Sequence, residues 1–322
     1  MKTILLKNGL TLVTGLALAL AGCGPGGDEA KPSTPPGAPK VALVMKSLAN
    51  EFFKTMEDGA KAHQRSHAAE YTLLANGIKD EQDVARQINL IEQMIAQRVS
   101  ALVVAPADSK AIVPACKKAL DAGIVVVNID NKLDAEALKE KGIAIPFVGP
   151  DNRKGARLAG EYLAKSLKAG DPVAILEGLP TAFNGIQRKL GFEDAAKAAN
   201  LQIVSSQSGR WEMAKGEQVA AAMIQEHPEL KAILCANDNM ALGAVAALKA
   251  AGKLAGVKVV GFDNIQAVRA LIRSGEILCT VDQHADQIAA YGIEHALSIL
   301  KTKGAPADKE TPVDLITAET LK

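Results

Sequence analysis

Lys46, Asn50, Phe52 and Phe53 lie just beyond one short apolar run of this chain, and Asp130 and Asn131 just beyond another. Asn237 with Asp238, Phe262 with Asp263, and Gln283 hold the same position after three more runs. Trp211 closes a polar, loop-like stretch that begins at Ser205 and follows a further run. Each place offers a charged group, an amide or a ring. None offers a nucleophile beside a base. A carboxylate accepts bonds from two neighbouring hydroxyls, and a carboxamide donates and accepts at once. Bonds to charged groups contribute about 1.5–3 kcal/mol each, and aromatic planes cover the C–H faces of a saturated ring. This mixture suits a neutral polyhydroxyl ligand. The chain has six Phe and one Trp, so Phe52, Phe53, Phe262 and Trp211 form a large share of its big rings. Core packing alone does not account for that concentration.

The elements that would hold these residues alternate in type. Apolar runs at 41–45, 71–74, 101–104, 124–129 and 143–148 read as strands. Between them, 53–67, 84–95 and 111–122 read as helices; Val84, Ile88, Ile91 and Ile95 recur at three- and four-residue spacing. The pattern then restarts, with strands at 173–176, 203–204, 232–235, 257–261 and 277–281. The accompanying helices are expected at 155–167, 191–199, 215–226, 240–250 and 267–273. Such alternation gives parallel sheets with helices on both faces. Two sets of it give an α/β fold of two doubly wound lobes. Ligands of these sheets bind beyond the carboxyl ends of the strands, where the residues above stand.

The first 22 residues read as a leader. Lys2 and Lys7 precede a nearly unbroken apolar stretch from Leu10 to Ala21, too short to remain as a spanning helix. It ends in Leu20, Ala21, Gly22 and Cys23, which resembles a bacterial lipobox. Cleavage there would leave an acylated Cys23 as the first residue, and several acyl chains anchor firmly where one does not. Residues 23–39 are rich in Pro and Gly and read as a tether. The expectation is an exported, membrane-anchored lipoprotein, periplasmic or on the cell surface. Cys116, Cys235 and Cys279 are odd in number and far apart; they read as buried thiols, with a pairing of Cys235 and Cys279 as the alternative.

The motifs resemble a known family. Asn50-Glu-Phe-Phe53 after the first strand, Asp130 after a Val-rich strand, and Ala236-Asn-Asp-Asn-Met-Ala-Leu-Gly243 are similar to the ribose- and allose-binding proteins of sugar ABC importers. So are Val259-Val-Gly-Phe-Asp263 and Thr280-Val-Asp-Gln283. The resemblance runs from Lys40 to about Leu315. It implies the type I periplasmic binding protein fold, with three crossovers joining the lobes near Pro150–Asp151, Gln283–His284 and Asp314–Leu315. One lobe would comprise 40–150 and 284–314, the other 151–283 and 315–322. It implies that Lys46 and Asn50 bond ligand hydroxyls, that Phe52 and Phe53 pack one side of the ring, and that Asp130, with Asn131 beside it, takes a hydroxyl pair. From the other lobe Arg188 would donate and Trp211 would stack on the opposite face. Asn237, Asp263 and Gln283 would complete the polar shell, with Phe262 lining it. The implied function is non-catalytic: a monomer that closes on a monosaccharide or polyol and presents it to a permease and ATPase, without a cofactor. Ribose binders carry Arg where Asn131 stands, another Arg at the place of Ile186, and a small hydroxyl residue at Lys46. These departures favour the allose-binding branch, and a hexose or polyol over ribose.

Other classes fit less well. A dinucleotide-binding enzyme would need a glycine-rich turn after the first strand, and 46–53 has no glycine. A repressor sharing the fold would need an N-terminal helix-turn-helix, where this chain has the leader and tether. A formal net charge of +1 gives no reason to expect nucleic-acid binding. A ligand-presenting sensor for chemotaxis or quorum signalling shares fold and location and is the alternative function. His63 and His67 are four apart, as zinc ligands can be, yet no second pair accompanies them and a solvated helix face is the plainer reading. The mixed-charge run 134–141 reads as a solvated helix or loop, and Asp108-Ser109 as a helix cap. Asp238 is read either as a helix cap or as a ligand contact.

Overall fold

The computed structural model describes residues 37–304 and 307–321, so the leader, Cys23 and most of the tether lie outside the described residues. The chain begins with β1 (Lys40–Ser47), α1 (Glu51–Ser66), β2 (Thr72–Ile78), α2 (Val84–Ala96) and β3 (Ala101–Val104). It continues through α3 (Val113–Asp121), β4 (Val125–Ile129), α4 (Ala135–Glu140) and β5 (Phe147–Pro150). A second set follows: α5 (Asn152–Ala164), β6 (Pro172–Glu177), α6 (Phe183–Ala198), β7 (Gln202–Ser208), α7 (Met213–Glu226) and β8 (Ala232–Cys235). It is completed by α8 (Asp238–Ala250), β9 (Lys258–Val260), α9 (Gln266–Arg273) and β10 (Cys279–Asp282). The last elements are α10 (Ala285–Thr302), β11 (Lys309–Thr311) and β12 (Asp314–Thr317).

Two six-stranded sheets result, ordered β11-β5-β4-β3-β1-β2 and β12-β10-β9-β8-β6-β7. Every neighbouring pair is parallel except β10 with β12. Strand order reverses between β1 and β3 in one sheet and between β6 and β8 in the other, which opens a crevice at the carboxyl ends of those strands. The chain passes between lobes after β5, after β10, and between Thr311 and Asp314. Helix α10 packs against α1, β3 and β4 of the first lobe.

The apolar runs are continuous because both sheet faces are covered. In β1, Val41, Leu43 and Met45 join one core cluster, while Ala42 and Val44 join the cluster built with α2 and α3 on the opposite face. Burying such side chains contributes about 1.5–3 kcal/mol each.

Several boundaries differ from the expected ones. Helix α6 begins eight residues before the expected 191, and α10, β11 and β12 were not foreseen. Glycines at 185 and 191 argue against a helix by propensity. Packing overrides this: a Cβ on Gly191 would collide with the Arg153 carbonyl of α5, so the glycine lets α5 and α6 touch. The strand expected at 143–148 is instead Phe147–Pro150, displaced by Pro146. The third passage between the sheets precedes Asp314, where Asp314–Leu315 had been expected.

Asp134 caps α4 by accepting from Ala137 N at 2.9 Å. Asp108 accepts from Lys110 N and Ala111 N, one turn ahead of α3. Cys116, Cys235 and Cys279 are free, buried thiols, so Cys235 and Cys279 do not pair. His63 and His67 stack on one another; His63 Nδ1 lies 2.9 Å from the Tyr71 hydroxyl, and His67 Nδ1 lies 2.8 Å from the His63 carbonyl.

Candidate binding site

The two crevices face each other across a small cavity lined from both lobes. Its first-lobe wall comes from the ends of three strands. Lys46 is the penultimate residue of β1, 2% exposed, with Nζ 3.2 Å from Asp130 Oδ2 and 3.9 Å from Glu81 Oε2. Asn50 caps α1: its Oδ1 accepts from Phe52 N at 3.0 Å, which leaves Nδ2 facing Glu81 Oε1 at 3.5 Å. That cap fixes the first turn of α1, where Phe52 and Phe53 meet edge to face at 5.1 Å. Asp130 follows β4 with a positive φ of 61°.

The second-lobe wall is built likewise. Arg188, in α6, lies between rings: its guanidinium carbon is 3.7 Å from the Phe262 centroid and 5.5 Å from that of Trp211. Its Nε donates to Asn152 Oδ1 at 2.8 Å, and Nη1 donates to the Ala236 carbonyl at 2.9 Å and reaches Asp263 Oδ1 at 3.4 Å. Gln283 Nε2 donates to the same Asp263 oxygen at 2.7 Å. Asn237 caps α8 through Met240 N and holds the Trp211 carbonyl through Nδ2 at 3.2 Å. Trp211 itself has φ 69° and is buried, with its indole lying over Gly178 and Gly185. A Cβ on Gly178 would collide with that indole. Gly178→Ala is therefore expected to push the ring from the wall and weaken ligand binding at least tenfold without removing a polar group; calorimetric titration checks it.

Burial dominates the electrostatics. It pushes the Glu81 carboxyl up to about 7 against the pull of Lys46. It raises Asp263 well above the ordinary carboxylate range, with the Arg188 charge opposing, and lowers Arg188 in turn. Two cationic and three carboxyl side chains line the cavity. Among the described residues, Asp130 Oδ2 has only the Lys46 ammonium, at 3.2 Å, and Asn184 Oδ1, Gln283 Oε1 and Trp211 Nε1 are buried without a hydrogen-bond partner. A buried polar group left in that condition costs about 1–3 kcal/mol. Three of the four are acceptors, which a ligand rich in O–H groups would satisfy. The lining includes no Ser, Thr, Cys or His.

Lys46, Asn50, Phe52, Phe53, Asp130, Arg188, Trp211, Asn237, Asp263 and Gln283 thus share one cavity. Asn131 and Phe262 do not line it. Asn131 turns away from Asp130 and is fully buried, with Nδ2 donating to the Pro106 carbonyl and Oδ1 accepting from Asn184 N at 3.0 Å. Phe262 lies one layer deeper, beneath Arg188. Ile186 is 43% exposed on the outside of α6 and takes no part in the cavity. Asp238 neither caps α8 nor meets the cavity: it accepts from the Thr280 hydroxyl at 2.7 Å and from Ile265 N at 3.0 Å. Two lining residues were not foreseen, Glu81 and Asn184. Glu81 stands three residues beyond β2 in a charged stretch, and Asn184 in the first turn of α6, seven residues beyond β6, so neither stands at a strand end.

Residues 41–304 match the model of the periplasmic binding protein domain. The chain is 60% identical over 287 residues to a D-ribose/D-allose-binding protein of Pseudomonas aeruginosa, covering 88% of this chain and 90% of that protein. A solved ABC transporter solute-binding protein from Burkholderia multivorans superposes with a TM-score of 0.86 at 58% identity, covering 87% of this chain and all of the other. Another, from Actinobacillus succinogenes with bound D-allose, gives a TM-score of 0.83 at 35% identity over 88% of this chain and 98% of that one.

Proposed function

Because this chain belongs to the periplasmic sugar-binding proteins of the ribose- and allose-binding type that serve ABC importers, we propose that its cavity takes one allose- or ribose-like monosaccharide or a polyol of similar size. Proteins of this family bind and deliver a solute and do not transform it. Capture proceeds by hinge closure: a sugar met by one lobe draws in the other, because the closed form alone lets both contact it.

In this reading Trp211 covers one face of the ring and Phe52 and Phe53 the other. Asp130 and Asp263 each take neighbouring hydroxyls from opposite edges. Lys46, Asn50, Arg188, Asn237 and Gln283 bond the remainder, joined by Glu81 and Asn184. The observation that carries the reading is the cluster of buried acceptors with unused hydrogen-bonding capacity between opposed rings. The lysine at 46, where the ribose binders carry a small hydroxyl residue, resembles the allose-binding branch and favours a hexose over a pentose. Acylated Cys23 and the tether through residue 39 would hold the monomer at a membrane within reach of its permease. A thermal-shift screen of pentoses, hexoses and polyols tests the ligand class. At about 100 times its dissociation constant a true ligand adds about 2.7 kcal/mol of stability. No shift with any of them would remove the reading.

The same arrangement predicts proton coupling. Glu81 has an ordinary value of 4.5 and is pushed up to about 7 in the closed cavity. In an open cleft, water restores the ordinary value. Closure therefore takes up protons between about pH 4.5 and 7, and affinity falls as pH rises through that window. Asp263, also raised, acts in the same direction. Calorimetry in buffers of differing ionisation enthalpy should show uptake near pH 6 that shrinks in Glu81→Gln. Equal uptake in both proteins would exclude Glu81 as the group.

A further inference from the structure

Glu51 opens α1 in the first lobe, yet its carboxylate is spent on the second. Oε1 accepts from Gln266 N at 2.5 Å and Oε2 from Ala267 N at 3.4 Å. These are the first two backbone N–H groups of α9. The N-cap position, whose side chain ordinarily accepts from the second or third N–H of a helix, holds Ile265, which makes no side-chain cap. Helix α9 thus lacks a cap of its own and receives one across the cleft. We infer that Glu51 is a closure latch: a positioning residue that sets sugar affinity by capping α9 in trans when the lobes meet.

The contact differs in kind from the others that bridge the lobes. Ser109 Oγ accepts from Phe183 N at 3.0 Å, and Arg210 Nη1 donates to Gln82 Oε1 at 3.2 Å. Those pairs each have a neutral acceptor, and the Glu212 carboxylate accepts only one bond across the cleft, from the neutral Gln82 Nε2 side chain at 3.4 Å. At α9 a formal negative charge meets two free N–H groups at the positive end of a helix. Opening separates the lobes, so the capping bonds exist only in the closed form. Glu51 does not line the sugar cavity, although Asn50 and Phe52 on either side of it do. Ligand contact by Asn50 and Phe52 therefore places Glu51 at α9 as a direct consequence.

This inference rests on the sugar-binding reading, and the test separates the two. D-allose and D-ribose are titrated into the parent, Glu51→Ala and Glu51→Gln, with release rates followed by Trp211 fluorescence. Loss of a helix cap corresponds to about a 3- to 30-fold effect. Glu51→Ala should raise Kd by that factor through faster release, with an unchanged association rate, because removing a closed-state contact shortens the life of the complex. Glu51→Gln, which keeps one acceptor oxygen, should fall between. Sugar-free melting should stay within a degree of the parent, since without sugar the closed form is a minority and α9 is mostly uncapped in both. An unchanged release rate, or an equal loss of stability with and without sugar, would overturn the latch. If the parent bound neither sugar, the sugar reading would fall. A lobe-to-lobe distance measurement on sugar-free protein would then decide on Glu51, with a shift toward longer distances in Glu51→Ala supporting the latch and no shift refuting it.

Discussion

Replacing Asp263 by Ala should raise the Kd for sugar by a factor on the order of 10² to 10³. Asp263 is buried, and its Oδ1 receives Gln283 Nε2 at 2.7 Å and faces Arg188 Nη1 at 3.4 Å. Truncation removes the acceptor for ligand hydroxyls and leaves a buried guanidinium without its counter-charge. Losing one member of a buried hydrogen-bonded charge pair costs about 2–5 kcal/mol. Asp263→Asn keeps the shape but trades an acceptor for a donor. It should retain more affinity than the alanine variant. Isothermal titration measures both, with far-ultraviolet circular dichroism as the check on folding. A Kd for Asp263→Ala within threefold of the parent would remove Asp263 from the site.

Trp211→Ala should come close to abolishing binding. The indole forms the second-lobe wall, faces Lys46 Nζ at 5.8 Å across the cleft and stacks near Arg188 at 5.5 Å. Truncating a buried aromatic costs about 3–5 kcal/mol, and here part of that loss falls on the closed form, in which the ring would meet the sugar. The variant should therefore fold with a lower melting temperature and gain little or no stability from sugar at concentrations that saturate the parent. Trp211→Phe should recover part of the affinity, because a smaller plane still covers the ring face. Equal sugar-induced stabilisation of parent and Trp211→Ala would mean that the indole does not touch ligand.

Much of this arrangement was legible in the sequence because parallel sheets leave few choices. Strands buried on both faces must be apolar along their length, so a polar residue at the carboxyl end of such a run stands out. Lys46, Asp130, Asn237, Asp263 and Gln283 were visible for that reason. The misplaced residues failed on backbone direction. Asp130 turns through a positive φ of 61°, which sends its neighbour Asn131 away from the cavity and into contact with Pro106 and Asn184. Phe262 is adjacent to a cavity residue but lies beneath Arg188, a layering that adjacency in sequence does not encode. Glu81 stands in a charged stretch that reads as solvent-facing, and only the approach of Lys46 and Asn50 makes it buried. Helix α10 buries Ile288 and Ile293, but the rest of its buried face is small residues, Ala285, Ala289, Gly292 and Ala296, which allow close packing and dilute the apolar signal.

A crystal structure of the protein with the tightest ligand from the sugar screen bears most directly on the whole account. One ring should lie between the Trp211 indole and the Phe53 ring, with separate hydroxyls accepted by Asp130 from one lobe and Asp263 from the other. Ligand bound outside this cavity, or held by one lobe while the other stands open in every copy, would contradict it.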